Sequence, residues 1–218
     1  MPNRTRTETL SIIEQTGIVG ILRAESPDQL VDVCRALREG GVIASEITMT
    51  TPKALSVIET ASEVLGKDCV IGVGSVLDPE TARTAILAGA QYIVCPTFNP
   101  AVVEMAHRYD KPVMPGALTP TEIINAWSAG SDLIKVFPAD YFGPKYIKDI
   151  HGPMPQVKMI PTGGINLDNA GDWIRKGATA LGVGTSLVNK QVLADRNWSA
   201  ITQAAKGFID AVRTARQS

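Results

Sequence analysis

Short apolar, β-rich runs recur along this chain at near-constant spacing, and each is followed by a helical pattern. The runs are Gly17 to Arg23, Val42 to Thr48, Val70 to Gly74, Gln91 to Cys95, Pro112 to Met114, Leu133 to Phe137, Val157 to Pro161 and Ala180 to Gly184. Their starts lie about 20 to 28 residues apart, close to the minimum for a parallel strand, helix, strand crossover. Helix starts are marked by Ser26-Pro27, Thr51-Pro52, Asp78-Pro79, Asn99-Pro100 and Thr119-Pro120, since proline suits the first helical position. Helix ends are marked by Gly40-Gly41, Gly66, Gly89, Gly130 and Gly177, where a left-handed residue lets the chain turn back. Eight such units predict one α/β domain over residues 1–218, a (β/α)8 TIM barrel with a short helix before the first strand and a last helix over about Asp195 to Arg213. The rival, an open doubly wound sheet, would have to be unusually wide.

The 218 residues suffice for one sizeable core, and 21 basic against 22 acidic residues leave no basic footprint for nucleic acid. Small molecules are the expected partners. Met1 to Leu10 carries Arg4, Arg6 and Glu8 without an apolar run, and no later stretch is long and apolar enough to span a membrane, so a cytoplasmic protein is expected. Cys34, Cys69 and Cys95 are odd in number and widely spaced, which fits reduced core thiols rather than a disulfide framework. His107 and His151 have no partner at ligand spacing, and Trp127, Trp173 and Trp198 lie on helical segments as packing residues.

In a barrel, chemistry belongs at the carboxyl ends of the strands. The sixth run, Asp132-Leu133-Ile134-Lys135-Val136-Phe137-Pro138, embeds a lysine among apolar neighbours. Burial disfavours an ammonium, and a neutral amine attacks ketones, so Lys135 is the candidate Schiff-base nucleophile. A structural ion pair is the alternative use of such a lysine. The second run places Glu46 in Ser45-Glu46-Ile47-Thr48, where a part-buried carboxylate would relay protons or merely neutralise Lys135.

Two glycine-rich turns, Thr162-Gly163-Gly164-Ile165-Asn166 and Gly182-Val183-Gly184-Thr185-Ser186, follow runs seven and eight. That is the usual phosphate position in barrels, with exposed backbone N–H groups and a following helix start. Neither turn matches a dinucleotide fingerprint or a P-loop. Arg23, Ser75, Pro96 with Thr97, and Gly116 sit at other strand ends; Arg23 would clamp a carboxylate and Ser75 would assist, unless Arg23 is only a surface residue at a junction.

Taken in order, Gly20-Ile21-Leu22-Arg23, Glu46-Ile47-Thr48, Gly72-Val73-Gly74-Ser75-Val76, Leu133 to Pro138, Pro161-Thr162-Gly163-Gly164 and Gly182-Val183-Gly184 resemble the 2-keto-3-deoxy-6-phosphogluconate aldolase family, which includes 4-hydroxy-2-oxoglutarate aldolases. The resemblance implies a metal-independent class I aldolase without organic cofactor, a homotrimer acting on keto acids and aldehydes. It assigns the pyruvate imine to Lys135, general acid/base work to Glu46, the pyruvate carboxylate to Ser75, the pyruvate pocket to Thr162 and phosphate to Gly163, Gly164, Gly184 and Thr185. Pro96 would line the pyruvate site. The reaction implied is cleavage of 2-keto-3-deoxy-6-phosphogluconate to pyruvate and glyceraldehyde 3-phosphate, with 4-hydroxy-2-oxoglutarate cleavage to pyruvate and glyoxylate beside it.

Many family members carry an arginine shortly after the strand-two glutamate, where this chain reads Thr48-Met49-Thr50-Thr51. Arg23 is the candidate replacement for the one missing at Thr50. The segment Phe142 to Lys148 also resembles relatives acting on the galactonate epimer. A sugar-phosphate epimerase barrel would need paired acids or metal-binding histidines, which the sequence lacks, and a keto-acid-binding barrel without catalysis would use Lys135 and Glu46 as a plain ion pair.

Overall fold

The structure, a computed structural model, describes residues 4–24 and 27–217. Helix α1 (Arg6–Thr16) precedes β1 (Ile18–Leu22), and then α2 (Leu30–Glu39), β2 (Ala44–Thr48), α3 (Ala54–Leu65), β3 (Val70–Gly74), α4 (Pro79–Leu87), β4 (Ile93–Val94) and α5 (Pro100–Arg108) alternate. The second half runs β5 (Val113–Met114), β6 (Gly116–Ala117), α6 (Pro120–Ser128), β7 (Ile134–Val136), α7 (Lys145–His151), β8 (Met159–Pro161), α8 (Leu167–Arg175), β9 (Leu181–Val183), α9 (Lys190–Ala194) and α10 (Trp198–Gln217).

All strand pairs are parallel, in the orders β5-β4-β3-β2-β1-β9 and β6-β7-β8. The two arcs join into one closed sheet. At one seam Thr162 bridges Gly182, and at the other β5 and β6 are one strand interrupted by Pro115, whose carbonyl accepts the Lys135 N–H at 2.9 Å. Proline has no N–H to give the ladder, so the fifth strand breaks there into two pieces facing different neighbours. The result is the (β/α)8 barrel.

Residues alternate in and out along each strand. Ile18, Leu22, Ile47, Ile71 and Ile93 face outward into the layer shared with the helices, whereas Val19, Ala44, Val70, Tyr92, Val94, Met114, Leu133 and Ile160 pack inside the barrel with Ile13 of α1. Helix α1 therefore plugs the amino-terminal end. It is held there by Arg6 Nε, 2.6 Å from Asp132, and its own first turn is closed by a capping box between Thr5 and Glu8. The interior follows the layered filling of barrels, with apolar layers below and room for polar heads only toward the carboxyl end.

Several local expectations need correction. Thr51-Pro52 does not open the third helix: the chain first passes through Lys53 at φ 55, and α3 starts at Ala54. Gly66 ends α3 in right-handed backbone, φ −59, whereas Gly41, Gly89, Gly130 and Gly177 do adopt the left-handed form, φ 94, 110, 90 and 106. The last helix starts at Trp198 after the short α9 rather than near Asp195. Ser26 lies outside the described residues. Pro79, Pro100 and Pro120 do open helices, behind Asp78, Asn99 and Thr119 caps. Trp173 is 2% exposed, with Trp127 and Trp198 packed against the same layer, and all three cysteines are buried and free.

Candidate active site

Strand register decides what faces the barrel interior. Lys135 pairs with Gly116 and Ile160, and with Leu133 two residues earlier inside the barrel, alternation points Lys135 inward as well. It is 7% exposed, with Nζ 5.2 Å from the centre of the Phe137 ring on the same face of the chain. Glu46 pairs with Ile21 and Gly72 and follows inward-facing Ala44 by two residues, so it too points inward; it is 2% exposed. Both groups thus rise from the apolar interior toward the carboxyl end.

Two glycines make room for them. A methyl group at Gly74 would lie 2.7 Å from Glu46 Cγ and nearer still to its carboxyl group, and a methyl group at Gly72 would overlap the Tyr92 ring. The barrel interior is close-packed, and the absence of side chains on β3 is what admits a carboxyl and a phenol from its neighbours.

Opposing influences act on the Glu46 carboxyl. Burial raises its carboxyl above the ordinary range, opposed by the charge of Lys135 and less by that of Arg23. Among the described residues no contact ion pair joins Lys135 to Glu46, although their charges act on one another. A plain structural pair would gain most from direct contact. Cys95, at the end of β4, feels both charges, and burial pushes its thiol up to about 12. It packs in the outer layer, outside the barrel interior.

The other candidates frame the mouth. Arg23 follows β1 and is exposed, close enough to act electrostatically on Glu46. Ser75, directly after β3, is held at φ 60, a left-handed conformation that a non-glycine residue adopts at a cost of about 1–3 kcal/mol. Pro96 is half-buried, and its carbonyl packs so closely on Gly116 that any side chain at 116 would collide with it. Thr162 is 7% exposed and bridges Gly182, where a methyl group would strike its hydroxyl.

The two glycine turns are joined. Gly163 and Gly164 take φ 106 and 69 in succession, and Ser186 Oγ donates to the Ile165 carbonyl at 2.7 Å, tying the turn after β9 to the turn after β8. Gly184 is half-buried, and Thr185 and Ser186 are exposed at this rim. One expectation changes here: the helix start after Gly164 is already occupied, because Asn166 caps α8 by accepting from Asp168 N and Asn169 N at 3.0 and 3.1 Å. After Thr185 no helix follows until α9 at Lys190. What the rim offers is therefore turn backbone rather than an uncapped helix end.

The sequence reading missed Thr48, Tyr92 and Asp140. Thr48 shares the inward face of β2 and its Oγ1 lies 2.9 Å from Thr50 Oγ1, which was legible as the position two beyond Glu46. Tyr92 directly precedes β4 and packs inside the barrel. The Asp140 carboxylate lies beside the glycine turn, where a methyl group at Gly163 would sit 3.5 Å from Oδ1, and only the folded loop reveals it. Among the described residues no three His, Cys, Asp or Glu side chains gather as a metal ion would need, and no helix is long and apolar enough to cross a membrane. A hollow lined by Glu14, Arg175, Thr179 and Arg216 opens at the opposite end of the barrel, away from all these groups.

The family model described as KDPG and KHG aldolase matches residues 10–204. The 2-dehydro-3-deoxy-6-phosphogalactonate aldolase of Escherichia coli K12 is 32% identical over 92% of this chain and 96% of its own length. The 2-dehydro-3-deoxy-phosphogluconate aldolase of Treponema pallidum is 30% identical over 92% and 95%. A crystal structure of the Legionella pneumophila KDPG aldolase, with pyruvate captured as a covalent carbinolamine, superimposes with a TM-score of 0.85 at 26% identity, covering 92% of this chain and 97% of that one. A barrel that carries a buried lysine and a buried carboxyl at its carboxyl end, matched over nearly its whole length by such enzymes, belongs to the KDPG and KHG aldolase family.

Proposed function

We propose that this aldolase cleaves 2-keto-3-deoxy-6-phosphogluconate to pyruvate and glyceraldehyde 3-phosphate through an imine on Lys135, with Glu46 moving the protons. The observation that carries the reading is the pair of ionisable heads inside one apolar barrel end, coupled by charge yet not in contact. Lys135 Nζ attacks the ketone carbon, and Glu46 supplies the proton with which the carbinolamine hydroxyl leaves as water. The resulting iminium draws electrons from the bond between the third and fourth carbons. Glu46 takes the proton of the fourth-carbon hydroxyl as that bond breaks, releasing the aldehyde, and returns the proton to the enamine carbon. Hydrolysis of the imine then frees pyruvate and the amine. A carboxyl raised above its ordinary range by burial suits both halves of this exchange.

Arg23 and Ser75 would hold the pyruvate carboxylate, with Pro96 and Thr162 lining the pocket, while the amides of Gly163, Gly164, Gly184 and Thr185 would take the phosphate. The Ser186 bond that ties the two turns together supports a shared rim site. Cleavage of the galactonate epimer is the second reading, favoured by the segment Phe142 to Lys148 and by the Escherichia coli relative's activity; glyoxylate-forming cleavage of 4-hydroxy-2-oxoglutarate would use the same pyruvate half-site. A homotrimer follows from the family resemblance, and a cytoplasmic setting would keep Cys34, Cys69 and Cys95 as the free thiols they are. Incubation with pyruvate and borohydride tests the reading: a permanent adduct mapped to Lys135 supports it, and a chain left unmodified under conditions that label a known aldolase refutes it. Cleavage assays on the three substrates side by side then assign the aldehyde.

A further inference from the structure

Tyr92 is fully buried inside the barrel, and its hydroxyl has no hydrogen-bond partner among the described residues. A phenylalanine would fill the same space without the cost of stranding a donor, which is comparable to a lost hydrogen bond. What surrounds the ring is apolar: Val19, Ala44, Val70, Val94, Met114 and Leu133 belong to the same interior cluster. The neighbouring polar head is Glu46. Tyr92 lies over Gly72, the residue that pairs in register with Glu46, and the Glu46 carboxyl fills the next gap along the same face of β3, at Gly74. Two residues along a strand span about 6.6 Å, so the phenol and the carboxyl sit in adjoining compartments with no side chain of β3 between them.

We propose that Tyr92 is a positioning residue for Glu46, its hydroxyl donating a hydrogen bond to the Glu46 carboxylate during the part of the cycle in which that carboxylate is charged. The proposal rests on the reading that Glu46 moves protons at a pyruvate imine. Burial and the Glu46 charge hold the phenol protonated far above its ordinary range, so it is a donor throughout. The charges that act on Glu46 are Lys135 from β7 and Arg23 beyond β1, and the Glu46 charge acts in turn on Cys95 beyond β4 and on Tyr92 before it. Of these, Tyr92 is the neutral donor inside the barrel, the Cys95 thiol lying in the outer layer, and it can favour the carboxylate without pairing to substrate. A donor lost from a buried carboxylate leaves desolvation less opposed, and the carboxyl should hold its proton to higher pH.

The test compares wild type with Tyr92→Phe, following borohydride trapping of pyruvate on Lys135 and deuterium exchange into the pyruvate methyl group across pH. The expected result is unchanged trapping, a melting temperature no lower than wild type, and an acid limb of the exchange profile moved upward by about one pH unit, the size of a charge-assisted bond. In a Glu46→Gln background the same substitution should change the residual rate by less than about twofold, since the partner is gone. An exchange profile that does not move in a wild-type background overturns the role of Tyr92 while leaving the aldolase reading intact. A wild-type chain that neither traps nor exchanges pyruvate overturns both. An effect of equal size in the Glu46→Gln background overturns the proposal too, because it would show that the hydroxyl acts elsewhere.

Discussion

Replacing Gly74 by alanine should disable proton transfer without touching either ionisable residue. Gly74 sits in ordinary extended backbone at the end of β3, so alanine carries no conformational penalty there. Its methyl group, however, would lie 2.7 Å from Glu46 Cγ, and the carboxyl group is closer still. Reaching an ordinary contact of 3.4 Å moves Cγ back by at least about 0.7 Å and the carboxyl head by more. Overpacking of this kind costs about 1–3 kcal/mol, and for a chain of this length that lowers the melting temperature by roughly 2–12 °C. The catalytic cost is larger, because displacing an acid/base group by about 1 Å removes on the order of 10²-fold, and losing its service altogether 10²–10⁴-fold.

The assay is deuterium exchange into the pyruvate methyl group, read beside borohydride trapping. Gly74→Ala is expected still to trap pyruvate on Lys135, more slowly than wild type because Glu46 also assists carbinolamine dehydration, while exchange falls by at least about 10². Gly20→Ala is the control: its methyl group would crowd Leu37 Cδ1 at 2.9 Å on the outer face of β1, giving a comparable stability loss with exchange intact. Wild-type exchange in a folded Gly74→Ala chain would refute the idea that Glu46 works from the gap over β3.

Lys135→Ala should abolish trapping and reduce cleavage by more than about 10³-fold with little loss of folding, since it removes the nucleophile together with a buried polar head; turnover retained in that variant would end the mechanism. Glu46→Gln should trap pyruvate yet exchange 10²–10⁴-fold more slowly, as an order of magnitude. Its stability carries a sign. Because burial raises the folded Glu46 carboxyl above its unfolded value, the stability it contributes is complete below roughly pH 4.3 and is lost as pH rises through the folded value, so thermal scans should find Glu46→Gln more stable than wild type near pH 8 and about equal near pH 4. Arg23→Ala, at an exposed position, should change stability by less than about 0.5 kcal/mol, raise the pyruvate requirement about tenfold, and move the exchange profile slightly upward in pH, because the Arg23 charge lowers Glu46. Asp132→Ala removes the acceptor of Arg6 at 2.6 Å and of Val113 N at 2.9 Å, and urea unfolding should show a loss of about 2–4 kcal/mol with activity per folded molecule unchanged.

The strands were readable because parallel strands are covered on both faces and so appear as apolar runs. Their ends were not. Gly17 to Arg23 shortens to Ile18–Leu22, and Gln91 to Cys95 to Ile93–Val94, although Gln91 N and Cys95 N still donate to the Ile71 and Met114 carbonyls at 2.7 and 3.1 Å. Pro112 to Met114 marks only half of the fifth strand; the other half, Gly116–Ala117, carries no β-branched residue and exists because Pro115 swings the chain to a new neighbour. Cap chemistry was reliable where a side chain does the capping, as at Asp78, Asn99 and Thr119. It failed at Thr51, whose N–H is taken by the Thr48 carbonyl at 2.9 Å, so the chain makes a turn before the helix. Lys135 and Glu46 stand out in sequence as charges within apolar runs. Which face they occupy does not, since both faces of such a strand read alike.

That face is set by glycines more than by the charged residues themselves. Gly72 and Gly74 lie on the same side of β3 as Val70, and Gly116 lies beside Lys135; at each, a side chain would collide with Tyr92, with Glu46 or with the Pro96 carbonyl. These residues therefore subtract volume from the upper barrel where α1 and the apolar layers fill it below. Close packing would otherwise leave no place for a three-carbon keto acid above Lys135. The burial that raises this carboxyl costs folding stability once the group is charged, and in the proposed mechanism the same burial brings its proton affinity up for transfer. Stability and proton transfer thus depend in opposite directions on one variable, the desolvation of Glu46. Any substitution that wets that carboxyl should stabilise its charged form and slow the exchange together, whereas one that only loosens the outer helical layer should lower stability and leave the exchange profile where it was.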